Sequence, residues 1–138
     1  AKKAFDAAIR VKPLPPELKA SYDTATQQVA KLESARQLFA ERKYQDVIAS
    51  LAAVGAQDPT NQNVRRMIID AHFNMGALAL QQDRIPQAIR AFDQVLREDP
   101  DDELARRSRE LAERYEGRPR DLLYRIYVKY LPLRQAAT

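Results

Sequence analysis

Apolar residues recur every three or four positions along most of this chain, a period typical of amphipathic helices. The clearest example begins at Pro16, where an apolar face continues to about Arg42. Prolines, glycines and short polar stretches interrupt the pattern near residues 13–16, 41–43, 55–60, 83–84, 99–101, 117–121 and 132. The pattern therefore predicts an all-α chain of about six helices joined by short turns.

Residues that can cap a helix stand where three of these helices begin. Ser, Thr, Asp and Asn are preferred at this place because their side chains accept hydrogen bonds from the first free amides of the helix. The candidates are Thr60 or Asn61, Asp101 or Asp102, and Asp121.

Gly76 interrupts the apolar stripe of the helix predicted after Asn61. Glycine inside a helix costs about 1 kcal/mol relative to alanine, so its presence needs a reason. We expect another helix to approach Gly76 too closely for a side chain, with Ala88 small for the same reason.

Four residues at fixed spacing indicate that the helices form repeats. They are Gly76, Ala88, Phe92 and Pro100. The last step, an apolar residue eight positions before a proline, recurs before Pro59 and before Pro13. Internal repetition of this kind is typical of helical solenoids.

These residues resemble the tetratricopeptide repeat family, whose helix-turn-helix unit has about 34 residues. The best match covers residues 69–102, a weaker unit covers 28–61, and residues 1–15 resemble half a unit. The resemblance implies a right-handed superhelix of antiparallel helix hairpins that forms a single domain over residues 1–138. Its predicted parts are a half repeat over 1–15, hairpins over 16–59 and 60–102, and capping helices over 103–134.

The closing prolines lie further apart than the family's unit requires. Pro13 and Pro59 are 46 residues apart, and Pro59 and Pro100 are 41 residues apart. We therefore expect the first helix of each hairpin to be extended. A third unit departs from the family pattern at Arg109 and Glu110, and we expect it to cap the array, because a terminal unit has one face in water.

Residues 1–12 resemble the second helix of a hairpin whose first helix is missing. Phe5 and Ile9 would then be exposed on one flank, which is unfavourable for apolar side chains. We therefore expect the native gene product to continue upstream with at least one more helix.

The resemblance also implies a function, that of a protein-interaction scaffold within a larger assembly. In the family, first helices line a concave groove that holds a peptide or a helix of a partner. The groove places in this chain are Val29, Leu32, Glu33, Arg36, Phe39, Asp70, Phe73, Asn74, Ala77, Leu104, Arg107 and Ser108.

Asn74 is the strongest of these candidates, because an amide can pair with a peptide backbone in either direction. The alternative interpretation is a solvated helix asparagine. Some relatives clamp the C-terminal carboxylate of a peptide with paired lysines and asparagines. Asn74 and Arg107 are compatible with such a clamp, but Glu33 and the lack of groove lysines argue against a full one.

The predicted last helix, LLYRIYVKYL, carries more apolar surface than one docking face requires. Tyr124, Tyr127 and Tyr130 are candidates for a second interface, because tyrosine buries a large area and keeps a polar tip. Three interpretations stay open: a cap folded onto the preceding helix, self-association or partner binding, and contact with a membrane surface.

Composition bears on the remaining function classes. The net charge of +4 arises after residue 103, where 9 basic side chains face 4 acidic ones. Charges of both signs are interspersed there, which is typical of a solvated helix face. Binding of nucleic acid or of an anionic membrane surface through this region is therefore the less favoured alternative, alongside homo-oligomerisation.

Candidate chemistry is sparse. His72 is the single histidine, and we expect it to pack and not to serve as a base or ligand. Asp99, Asp101 and Asp102 lack the ligand-rich pattern of a calcium loop, and three scattered glycines form no phosphate loop. We expect no enzymatic activity, no metal and no cofactor.

The compartment stays open between cytoplasm and periplasm. The chain has no cysteine, which fits a reducing compartment and does not exclude an oxidising one. No apolar run approaches the roughly 20 residues that span a bilayer. The frequent alanine, arginine and glutamine favour a bacterial source.

Overall fold

The computed structural model describes residues 15–136 of the chain. Six helices account for most of these residues, and no strand occurs among them. In chain order they are α1 (Pro16–Ala40), α2 (Tyr44–Gln57), α3 (Gln62–Gln81), α4 (Ile85–Glu98), α5 (Glu103–Tyr115) and α6 (Leu122–Tyr130). The all-α prediction is confirmed here, whereas the predicted half repeat lies outside the described residues but for its last position.

Consecutive helices pack against one another from α1 to α5, and α3 also contacts α5 and α6. Three-residue turns at 41–43 and 82–84 fold α2 back onto α1 and α4 back onto α3 as antiparallel hairpins. Helices α1 and α3 have 25 and 20 residues, whereas α2 and α4 have 14 each. The extended first helices that the proline spacing predicted are therefore confirmed.

The two hairpin turns share one backbone geometry although their sequences differ. Arg42 and Asp83 lie in the left-handed region, with φ of 62° and 58°. The residue after each donates its N–H to a carbonyl near the end of the preceding helix, as in a Schellman motif. These bonds join Lys43 to Leu38 at 2.9 Å and Arg84 to Ala79 at 2.8 Å. The repeat is therefore present in the backbone where the sequence match is weak.

Side-chain caps start α3, α5 and α6. Asn61, Asp102 and Asp121 accept hydrogen bonds from amides in the first turns of these helices. The structure thus selects Asn61 over Thr60 and Asp102 over Asp101, and it confirms the cap predicted at Asp121.

The buried side chains form two clusters that meet along α3. The first joins α1, α2 and one part of α3, and the second joins the rest of α3 to α4, α5 and α6. Gly76 lies against Phe92 of the second cluster, and a Cβ atom on it would come within 2.6 Å of Cε1 of that ring. The close approach predicted at Gly76 is confirmed, and the ring of Phe92 is the group that approaches.

Residues 131–136 follow α6 without forming a helix or strand, and we call them the docked segment. The predicted capping helices over 103–134 therefore need correction, because helical structure ends at Tyr130. Leu131 and Leu133 pack with the second cluster, whereas Ala136 packs with the first. The docked segment thus spans both clusters across α3.

Candidate functional site

Asn74 lies in the middle of α3 and is fully buried. A buried amide must find hydrogen-bond partners, and Asn74 finds them in the docked segment. Its Oδ1 accepts from the backbone N–H of Arg134 at 2.7 Å, and its Nδ2 donates to the carbonyl of Arg134 at 2.8 Å. One side chain therefore satisfies both main-chain groups of one residue, which is recognition of a backbone and not of a particular side chain.

The side chain of Arg134 contacts two residues of α3, Asp70 and Phe73, and the residue that caps α5, Asp102. Its guanidinium is 2.7 Å from Oδ1 of Asp102 and 3.4 Å from Oδ1 of Asp70. It also lies 3.9 Å from the ring centroid of Phe73, a cation–π distance. We call Asp70, Phe73, Asn74 and Asp102 the arginine site.

The pKa values of the two carboxylates in the arginine site are shifted in opposite directions. Burial raises the pKa of Asp70, and the nearby charges of Arg134 and Arg66 only partly oppose it. Burial also disfavours the charged form of Asp102, but hydrogen bonds from Arg134 and from the Ala105 amide outweigh it and hold that pKa below its usual range. The charged form is therefore more strongly favoured at Asp102 than at Asp70, and Asp102 also forms the shorter contact with the guanidinium.

A cleft of about 400 Å³ extends beside the docked segment towards the end of α1. Leu133 to Ala136 form one of its sides, and Arg36, Phe39, Ala40, Arg42 and Tyr44 line the rest. The Nε of Arg36 is buried and has no hydrogen-bond partner in the described part of the chain. The segment is thus flanked by further polar and aromatic surface.

A family model described as tetratricopeptide repeat matches residues 38–109, just over half of the chain. The chain belongs to the tetratricopeptide repeat family. Its fold is the all-helical repeat superhelix that the resemblance implied. The match includes the whole arginine site, whereas the docked segment lies beyond it. No curated protein and no solved structure matches the chain.

Tetratricopeptide repeats generally mediate protein–protein interaction, and the family is typically a non-enzymatic scaffold. In residues 15–136 no group of three or more His, Asp or Glu side chains is placed to hold a metal ion. Within the same residues no helix is both long enough and apolar enough to cross a membrane.

The structure brings several predicted groove residues together. Asp70, Phe73 and Asn74 hold the docked segment, and Arg36 and Phe39 line the adjoining cleft. The expectation of open groove side chains needs correction for Phe73, Asn74 and the core residue Ala77, which are fully buried. Phe73 and Asn74 are buried because the docked segment of the same chain lies over them.

Other predicted groove residues lie apart from the arginine site. Val29 is 61% exposed on α1, and Leu32 packs against the first cluster. Arg107 is directed along α5 to Glu103, with Nε 3.3 Å from its carboxylate. Ser108 is buried beneath α6, where its hydroxyl lies 3.0 Å from that of Tyr127.

Two residues of the arginine contact network, Asp102 and Arg134, are not among the groove residues predicted from the sequence. Asp102 was predicted only as a helix cap; it does cap α5 and also pairs with Arg134 through the same oxygen. Arg134 belongs to the surplus of basic residues after residue 103. One signal in the sequence is the pair of apolar residues Leu131 and Leu133 on either side of Pro132. Apolar residues that flank a helix-breaking proline need a packing surface outside their own helix.

The tyrosines predicted as a second interface have different environments. Tyr124 is buried, and its hydroxyl donates to the carbonyl of Leu80 at 3.1 Å, so it is not available to a partner in this conformation. Tyr127 is half-buried against Ser108, whereas Tyr130 is 72% exposed. These contacts favour the cap interpretation of α6 and leave Tyr130 at the surface.

His72 is partly buried on α3, and burial lowers its pKa below the usual 6.5, with Glu98 opposing part of this effect. We expect this single histidine to titrate below pH 6.5 in proton NMR. Since the unfolded chain binds the proton more readily, the free energy of unfolding should fall as the pH drops from about 7.5 to about 5.5. A His72→Gln variant should show a flatter profile over this interval, and a midpoint at or above 6.5 would contradict the assignment.

Proposed function

We propose that this chain binds an extended peptide segment of a partner protein across its first helices, α1, α3 and α5. The observation that carries the proposal is the two-point pairing of Asn74 with the backbone of residue 134. Asn74 is fully buried in the middle of a helix and hydrogen-bonds to an extended segment. A side chain that can bind an extended peptide is therefore already in place. The family's general role in protein–protein interaction supports the same function.

Further contacts suit an extended ligand. Apolar side chains of the docked segment reach both core clusters, and the cleft beside it continues past Phe39. The unpartnered Nε of Arg36 is a donor that a ligand carbonyl can satisfy. A peptide bound here would therefore gain main-chain hydrogen bonds, apolar burial and one further polar contact.

The test uses a full-length chain with Leu133→Ser and Arg134→Ser, called the released variant. These changes remove the apolar contact of Leu133 and the charged contacts of Arg134 but keep the length of the docked segment. Hydrogen exchange of the segment after Leu131 reports its release, and circular dichroism confirms that the helices remain. A random peptide display library is then selected on the released variant and screened on the same variant carrying Asn74→Ala.

We expect selected peptides to bind about tenfold or more weakly after Asn74→Ala, because two hydrogen bonds to the peptide backbone are lost. Asn63→Ala is the matched control, since Asn63 is an exposed asparagine on the same helix. Equal binding by the Asn74→Ala and Asn63→Ala variants, or no selected peptide at all, would reject the proposal.

Self-association through α6 is a second candidate. Its outer face exposes Leu122, Leu123, Ile126 and Tyr130 by 72%, 63%, 46% and 72%. Contiguous apolar surface of this kind is typical of interaction sites. The solution mass of a Tyr130→Ala variant, measured by light scattering as described in the Discussion, tests this second candidate.

A further inference from the structure

The arginine site is built for one kind of side chain. Both of its carboxylates are almost fully enclosed, with 8% of the Asp70 side chain and 7% of the Asp102 side chain exposed. Two anions that are buried together without a cation between them are unfavourable, so an occupant that covers the site as the docked segment does must bring a positive charge. Arg66 supplies part of it from the flank, at 3.9 Å from Asp70, but it is directed also to Asp99.

The geometry selects arginine over lysine. A guanidinium is planar and carries several N–H donors, so it can stack on Phe73 while it reaches both Asp70 and Asp102. An ammonium group is a compact and strongly hydrated point charge that cannot make these three contacts together. Asn74 fixes the backbone of the same residue, so the site reads one arginine within an extended chain.

The present occupant of the site can leave it without opening a helix. The N–H of Leu131 bonds to the Val128 carbonyl at the end of α6 at 3.4 Å. The segment beyond Leu131 forms no helix or strand, and Arg134 provides the polar contacts that join it to α3 and α5. Its release would therefore expose the site and leave the hairpins intact. A second peptide with the same pattern would restore every polar contact that the release removes.

We propose that the partner peptide presents an arginine that takes the place of Arg134 between Asp70 and Asp102, and that the docked segment is an intramolecular competitor for the site. The inference rests on the proposed function, since it names the ligand of the same face. The competitor is always near the site, so an external peptide binds the native chain more weakly than it binds the open site.

The experiment measures fluorescence anisotropy with a labelled peptide of the docked segment's own sequence, Leu-Pro-Leu-Arg-Gln-Ala, amidated at its C-terminus. Matched peptides carry lysine or glutamine in place of the arginine. The protein samples are the native chain, the released variant, and the released variant with Asp70→Asn and Asp102→Asn. The control is the released variant with Asp101→Asn, because Asp101 is exposed next to the site.

We expect the arginine peptide to bind the released variant at least about tenfold more tightly than the lysine peptide, and about 100-fold more tightly than the glutamine peptide. The Asp70→Asn and Asp102→Asn changes should abolish this preference, whereas Asp101→Asn should preserve it. The native chain should bind the arginine peptide at least about tenfold more weakly than the released variant does.

The outcomes separate this inference from the proposed function. Equal binding of the arginine and glutamine peptides overturns the arginine preference, even where display-selected peptides still depend on Asn74. Equal binding by the native chain and the released variant overturns the role of the docked segment as a competitor. The absence of any display-selected peptide rejects the proposed function itself.

Discussion

Replacing Tyr124 by alanine is expected to lower the free energy of unfolding by about 3–5 kcal/mol, the usual cost of deleting a large enclosed aromatic side chain. Tyr124 is 2% exposed, and its ring centroid lies 4.9 Å from that of Tyr115. Its hydroxyl bonds to the carbonyl of Leu80 on α3, 44 positions earlier in the chain. The side chain therefore joins α6 to two other helices, and its loss leaves a cavity between them. Urea denaturation followed by circular dichroism measures the change.

Tyr130→Ala is the matched control on the same helix. Tyr130 is 72% exposed, so its replacement should change the free energy of unfolding by no more than about 0.5 kcal/mol. Equal losses for the two variants would contradict the assignment of α6 as a cap. Light scattering on the Tyr130→Ala variant tests the second candidate function, because a native oligomer that becomes monomeric supports an interface on the exposed face of α6. An unchanged solution mass argues against it.

Gly76→Ala is expected to lower the free energy of unfolding by about 1–2 kcal/mol, although alanine is the better helix former by about 1 kcal/mol. The new Cβ would lie 2.6, 2.8 and 2.9 Å from Cε1, Cζ and Cδ1 of Phe92. The ring of Phe92 is fully buried and packs 5.6 Å from that of Phe73, so it has little room to move. Overpacking costs about 1–3 kcal/mol, and we expect the upper part of this range here because three ring atoms lie too close, so the cost exceeds the gain in helix propensity. Thermal and urea denaturation measure the effect.

Gly55→Ala is the matched control. It makes the same glycine-to-alanine change, but we expect it to raise the free energy of unfolding. Its Cβ would meet Val64 and Ile68 at 3.7 and 3.8 Å, which are ordinary contacts. The substitution should therefore raise the free energy of unfolding by about 0.5–1 kcal/mol through helix propensity alone. Adding Phe92→Leu to Gly76→Ala should cost less than the sum of the single changes, because the smaller side chain relieves the clash. Additive losses, or stabilisation by Gly76→Ala, would show that Phe92 is not the limiting contact.

The arginine site has the opposite charge to the carboxylate clamp of some family members. Where such relatives gather lysines and asparagines around a terminal carboxylate, this chain places Asp70 and Asp102 around a guanidinium. Asn74 keeps the backbone-pairing role expected of a groove asparagine, but its ligand is an internal residue of the same chain. The charge of the site therefore favours a cationic partner segment.

The sequence predicts the part of the candidate site that lies on a single helix, α3. Asp70, Phe73, Asn74 and Ala77 lie three or four positions apart, so the period of α3 alone places them on one side of that helix. Arg134 lies 60 positions from Asn74, and Asp102 lies 32 positions from Arg134. No local pattern relates residues at such distances, because the turns and helix packing between them decide where they meet.

By itself, the sequence of this chain determined the helices, the cap at Asp121, the extended first helices and the close approach at Gly76, and it narrowed two further caps to two neighbouring residues each. These follow from periodicity, hydrogen-bond chemistry and steric volume within or between adjacent helices, which are local properties. Only the tertiary structure decided that Phe73 and Asn74 are covered, that Tyr124 is in the core and that Arg134 lies between two aspartates. The reason is that a non-helical segment has no periodicity to reveal its position, and its place depends on the surface that the folded hairpins present to it.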